Sequence, residues 1–116
     1  MLETFLKAKI HRAVVTESVL DYEGSITIGR NLMEAAGIRP YEQVLVANFT
    51  NGNRWTTYAI PADDGVIGLN GGGARLGVVG DVVTIFAYVQ VGPEEPHCPR
   101  VVLVKEGNQV DQVYTC

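Results

Sequence analysis

Val44-Leu45-Val46-Ala47-Asn48-Phe49, Thr50-Asn51-Gly52-Asn53 and Arg54-Trp55-Thr56-Thr57-Tyr58-Ala59-Ile60 follow one another without a break, and this stretch decides the fold. Two runs rich in β-branched and aromatic residues flank a tetrapeptide suited to a turn, since Asn and Gly accept the positive φ of a tight hairpin. Outward from this hairpin the same pattern recurs. Residues 5–16, 25–28, 66–69, 82–91, 100–105 and 110–114 read as further strands, the last two as a hairpin about Glu106-Gly107-Asn108-Gln109. In the first strand, alternation predicts Phe5, Lys7, Lys9, His11 and Ala13 on one face, with Leu6, Ala8, Ile10, Arg12 and Val14 on the other. Residues 31–36 are the clearest helix, with Gly37 placed to cap it and Pro40 to prevent its continuation. Thirteen glycines punctuate the 116 residues. The expectation is a mainly β fold: a small closed barrel of six to seven strands with one or two short helices, closure removing exposed edges.

Composition narrows the function classes. Hydrophobic residues make up 47% of the chain and the formal net charge is -4. A core is therefore expected, whereas a phosphate-tracking nucleic-acid binder would carry a basic face. No apolar run approaches the roughly 20 residues of a membrane span. Lys7, Lys9, His11 and Arg12 alternate with Phe5, Leu6 and Ile10, unlike a signal peptide, so a cytoplasmic location and one domain over residues 1–116 are expected. The two cysteines, Cys98 and Cys116, predict no disulfide framework. Glu94, Glu95, His97 and Cys98 lie between prolines, a poor arrangement for a tetrahedral metal site, and no metal is expected.

Tyr22-Glu23-Gly24-Ser25 carries the chemistry. A serine hydroxyl can attack the preceding carbonyl and move the acyl group from nitrogen to oxygen, and glycine helps by accepting backbone geometry that other residues resist. β-Elimination of the ester leaves dehydroalanine, which water converts to a pyruvoyl group. Alone, Gly-Ser is an ordinary turn. Its companions are Lys9-Ile10-His11-Arg12, Thr50-Asn51-Gly52, Arg54-Trp55-Thr56-Thr57-Tyr58-Ala59-Ile60 and Asn70-Gly71-Gly72-Gly73-Ala74.

In this order, over about residues 1–105, these motifs closely resemble the bacterial aspartate 1-decarboxylase family, which makes β-alanine for pantothenate and coenzyme A. The resemblance implies a double-psi β-barrel, a homotetramer and active sites between subunits. It also implies self-cleavage into residues 1–24 and 25–116, with Ser25 becoming a pyruvoyl cofactor that forms a Schiff base with L-aspartate. Neither metal nor pyridoxal phosphate is implied, and whether a maturation helper protein takes part is left open. By resemblance Thr57 holds the Gly24 carbonyl during cleavage and later contacts substrate. Tyr58 is the proton donor, Lys9 and Arg54 meet the substrate carboxylates, and Asn70 with Gly71, Gly72 and Gly73 forms the substrate loop. Alanines are common in the family where Gly72 and Gly73 stand here. His11 is read as pocket lining that orients its neighbours. A tyrosine can donate a proton at neutral pH, and bidentate geometry suits Arg54 to the retained side-chain carboxylate. Alternation puts Arg54 and Tyr58 on one face of their strand, with Thr57 and Trp55 on the other. The alternatives are a non-enzymatic barrel that binds a partner, and a homologue that never matures.

Overall fold

The computed structural model describes residues 1–116. Its strands are β1 (Glu3–Val14), β2 (Glu17–Val19), β3 (Ser25–Gly29), β4 (Gln43–Asn48), β5 (Arg54–Ala62), β6 (Ile67–Asn70), β7 (Val82–Val91), β8 (Arg100–Lys105) and β9 (Gln109–Tyr114). One α-helix, α1 (Arg30–Ala36), ends at Gly37, whose φ of 72° lets its N–H reach the Glu34 carbonyl. The mainly β expectation holds, with nine strands in place of six to seven. The excess lies at the margins: β2 is three exposed residues with no apolar alternation, and β9 is a largely exposed edge.

All nine strands share one sheet in the order β2-β6-β3-β5-β4-β7-β1-β8-β9. The β4–β5 hairpin pairs as its turn demands, with Ala47 opposite Arg54. Parallel pairing of β3 with β5, β2 with β6 and β1 with β8 makes the sheet curl on itself. No strand pairing joins β2 to β9, so the sheet is not closed by strand hydrogen bonds, and other contacts draw its parts together. Thr16, just past β1, donates its N–H to the Ile67 carbonyl at 2.8 Å, and its Oγ1 accepts the Ile67 N–H at 2.9 Å. Helix α1 packs against β1, β3, β5, β8 and β9. Buried Asn108 ties three segments together: its Nδ2 donates to Val14 and Gly65 carbonyls, and its Oδ1 accepts the Val14 N–H. The result is barrel-like, with Ile10, Ile26, Ile28, Val46, Leu69 and Ile85 among the fully buried core.

Two expectations are corrected. Ala13 is buried with Ala8 and Ile10, and does not share the face of Lys9 and His11. A β-bulge between Ile10 and Ala13, with Arg12 at φ 70°, shifts the register by one residue and exchanges the faces beyond it. Cys98 and Cys116 form a disulfide. The β8–β9 hairpin folds the end of the chain back, pairing Tyr114 with Val101, and so delivers Cys116 to Cys98. No helix is long and apolar enough to cross a membrane.

Candidate functional site

Ser25 opens β3 opposite Asn70 of β6, and it is 2% exposed. Asn70 Nδ2 donates to Ser25 Oγ at 2.9 Å and to Thr27 Oγ1 at 2.7 Å. A donor aimed at the serine oxygen favours negative charge there. Gly24 precedes it at φ 100°, with nothing within 4 Å of where a Cβ would stand. Gly71, at φ 66°, packs onto this junction so closely that a Cβ would lie 2.8 Å from Gly24 N and Cα and from the Tyr22 carbonyl oxygen. Only glycine satisfies both the left-handed backbone and this approach. The residues expected as a loop after Asn70 coil as a 3-10 helix, Gly71–Arg75. Within it a Cβ on Gly73 would meet the Trp55 indole nitrogen at 3.0 Å, whereas Gly72 is open.

β5 runs parallel beside β3, with Ile26 paired to Ala59. This pairing begins at Ile26 and Ala59, so Thr57 and Tyr58 precede the paired stretch of β5 as Gly24 and Ser25 precede that of β3. Tyr58 is half-buried and stacks against Tyr41, ring centroids 6.3 Å apart.

Lys9, His11 and Arg54 gather elsewhere, in a cavity of about 250 Å³ whose walls include Asn48, Phe49, Thr84 and Phe86. Lys9 Nζ stands 5.7 Å from the Phe86 ring centroid. The two ion pairs of the chain, Lys7–Glu42 and Arg30–Asp63, involve neither Lys9 nor Arg54. No acidic residue lines the cavity. Burial holds the His11 pKa below 6.5, with the charges of Lys9 and Arg12 adding to the effect, so the ring is neutral at neutral pH. Two unpaired cations and a neutral imidazole make an anion-binding environment.

One chain thus holds two groups. Ser25, Asn70 and Gly71 meet, while Lys9, His11 and Arg54 share the cavity. Arg54 and Tyr58 are four residues apart on β5, about 13 Å at strand spacing, and Tyr58 does not line the cavity. Thr84 and Thr27 escaped sequence reasoning. Thr84 left a trace, as a hydroxyl in the apolar run Val82-Val83-Thr84-Ile85-Phe86. Three of the residues considered as metal ligands have other partners: the His97 ring meets the Leu6 carbonyl, the Glu95 carboxylate accepts the Gly92 N–H, and Cys98 is in the disulfide.

The family model described as aspartate decarboxylase matches residues 1–111. Among similar proteins, the aspartate 1-decarboxylase of Caulobacter vibrioides is 55% identical over 114 residues, covering 95% of this chain and 97% of the relative. That of Phenylobacterium zucineum is 53% identical with the same coverage. That of Acaryochloris marina is 54% identical, covering 95% of this chain and 87% of the relative.

Proposed function

We propose that this chain, which belongs to the aspartate decarboxylase family, cuts itself between Gly24 and Ser25 and uses the pyruvoyl group made from Ser25. Its reaction is the decarboxylation of L-aspartate to β-alanine and carbon dioxide, the step that feeds pantothenate synthesis. The observation carrying the self-processing reading is the Gly24–Ser25 junction, where Asn70 donates to a buried serine oxygen after a left-handed glycine. Ser25 Oγ attacks the Gly24 carbonyl carbon; the C–N bond breaks as the ester C–O bond forms, and the proton passes from oxygen to nitrogen. Thr57, two residues before the Ala59 that pairs with Ile26, is the residue to hold the carbonyl oxygen as it gains charge. β-Elimination then releases the Gly24 carboxylate, and hydrolysis of the dehydroalanine releases ammonia.

The surroundings fit a small carbonyl group at position 25: the site is enclosed, and the Asn70 amide that now meets Oγ can meet a carbonyl oxygen. A pyruvoyl group supplies an electron-withdrawing carbonyl that takes up the electron pair left when carbon dioxide departs. The protein's own side chains do the rest. Arg54 holds the retained side-chain carboxylate, because a strong ion pair on the departing one would stabilise the ground state. Lys9 adds a second cation, His11 orients its neighbours, and the Asn70–Gly73 segment lines the substrate's path with backbone N–H groups. Tyr58 returns a proton to Cα.

The separation of the Ser25 group from the Lys9–Arg54 cavity supports sites completed by a second copy, in keeping with a homotetramer. Exposed Phe5, Tyr22, Tyr41, Phe49 and Tyr88 provide apolar surface for such contacts. A cytoplasmic location accords with this reading.

Intact-mass analysis tests it. The purified protein should resolve into residues 1–24 and 25–116, the larger piece lacking a free amine, and should convert aspartate to β-alanine. Ser25→Ala should stay whole and inactive. Tyr58→Phe should cleave normally yet make β-alanine about 10²–10⁴-fold more slowly. A wild-type chain that remains intact through long incubation with no β-alanine formed would favour a non-enzymatic barrel.

A further inference from the structure

His11 Nδ1 and Thr84 Oγ1 are buried polar atoms without a hydrogen-bond partner, and both residues line the cationic cavity. They belong to facing segments of adjacent strands. Ile10 pairs with Ile85 and Ala13 with Val83, so His11 and Arg12 together stand opposite the single residue Thr84. Native folds leave few buried polar groups unsatisfied, and two in one cavity point to a bond made in another state.

The two groups are chemically complementary. A threonine hydroxyl has a proton to donate, and Nδ1 of a neutral imidazole can accept it when the ring proton sits on Nε2. Burial, Lys9 and Arg12 all favour the neutral ring. The charged side chains around it are Lys9 and Arg12 on β1 and Arg54 on β5, all cations. No carboxylate on the cavity wall competes to receive a proton from Nδ1. The Phe49 ring meets the imidazole edge-on, centroids 6.1 Å apart, and restricts its rotation. Turning Thr84 about χ1 redirects its hydroxyl with no change in the strand.

We propose that Thr84 is a positioning residue for His11: when a carboxylate enters the cavity, the Thr84 hydroxyl donates to Nδ1 and fixes the tautomer that offers its Nε2 proton to the ligand. This rests on the assignment of the cavity to the substrate carboxylate. Thr84 acts through His11 and does not touch the substrate.

Nitrogen-15 histidine labelling tests it, with succinate as the probe because it carries both carboxylates but no amine to react. The chain has two histidines, and His97→Gln assigns the spectrum. With succinate, wild-type His11 should show one neutral tautomer, unprotonated at Nδ1. Thr84→Val, which keeps the shape and removes the hydroxyl, should give a mixture of tautomers. Its KM for aspartate should rise roughly three- to tenfold, the scale of one neutral hydrogen bond, with kcat and Gly24–Ser25 cleavage little changed. Thr84→Ser should restore both tautomer and KM, and Thr84→Ala gives the same readings as valine if the latter disturbs the strand. An identical tautomer with and without the hydroxyl, a wild-type ring protonated at Nδ1, or no response to succinate overturns the proposal. The tautomer is read without turnover, so absence of β-alanine would overturn the reaction and leave the Thr84 result to stand or fall separately.

Discussion

His11 shows at the scale of one residue how a binding environment costs stability. Burial and the positive charges of Lys9 and Arg12 lower its pKa, and Arg54 adds a third cation across the cavity. The unfolded chain is free of these constraints, and its histidine titrates near 6.5. Above that pH the ring is neutral in both states and nothing is lost. As pH falls below about 6.5 the unfolded state accepts a proton that the folded state refuses, so stability declines until the folded ring charges as well. Urea unfolding at pH 7.5 and pH 5.5 should therefore show a loss on acidification that shrinks in His11→Gln. An equal loss in both proteins would place the penalty on other groups. The sequence disclosed which side chains could be cationic here, through Lys9-Ile10-His11-Arg12. It did not disclose that they lack acidic partners, which depends on where Glu42 and Asp63 settle in three dimensions.

At the scale of elements, local chemistry was legible wherever it acted alone. The Asn-Gly turn made the β4–β5 hairpin, Gly37 capped α1, and the run at residues 82–91 became β7. Legibility failed where tertiary register overrode alternation. The bulge at Arg12 has no glycine to announce it, and it moved Ala13 into the core. The Cys98–Cys116 pairing depended on a hairpin that brings distant positions together. In the Gly71–Arg75 turn, three adjacent glycines look alike in sequence but differ in what they face. A methyl at Gly71 meets the Gly24 backbone at 2.8 Å and requires a left-handed conformation, whereas one at Gly72 meets nothing. Gly71→Ala should therefore displace the junction and slow self-cleavage strongly. Gly72→Ala should cleave normally and gain up to about 1 kcal/mol from the restricted unfolded chain. Timed gels and thermal melts of both variants check this. Equal cleavage rates would mean that the Gly71–Gly24 contact does not set the geometry of the scissile bond.

For the whole molecule, the decisive feature is that one chain does not bring its candidate groups together. Ser25 and Asn70 lie where β3 meets β6, and the Lys9–His11–Arg54 cavity lies toward the other end of β5. If one small substrate meets both groups, as proposed, the site draws on two copies or on a large rearrangement. Strand order argues against the latter: β5 is the fourth of a sheet of nine and is paired on both sides. Closed symmetric assembly offers the simpler route, since each interface repeats and every copy both gives and receives. The arrangement predicts complementation. Ser25→Ala lacks the reacting group and keeps the cavity; Lys9→Ala keeps the reacting group and lacks a cation. Each alone should be inactive or nearly so. If Ser25 of one copy works with Lys9 of its neighbour, assemblies formed from equal amounts of the two chains should hold about one intact site in four, by random pairing around the ring. β-Alanine production near a quarter of wild type, appearing only after co-expression or joint refolding, would follow. If both groups served a site within one chain, every site would carry one lesion, and mixing would restore nothing.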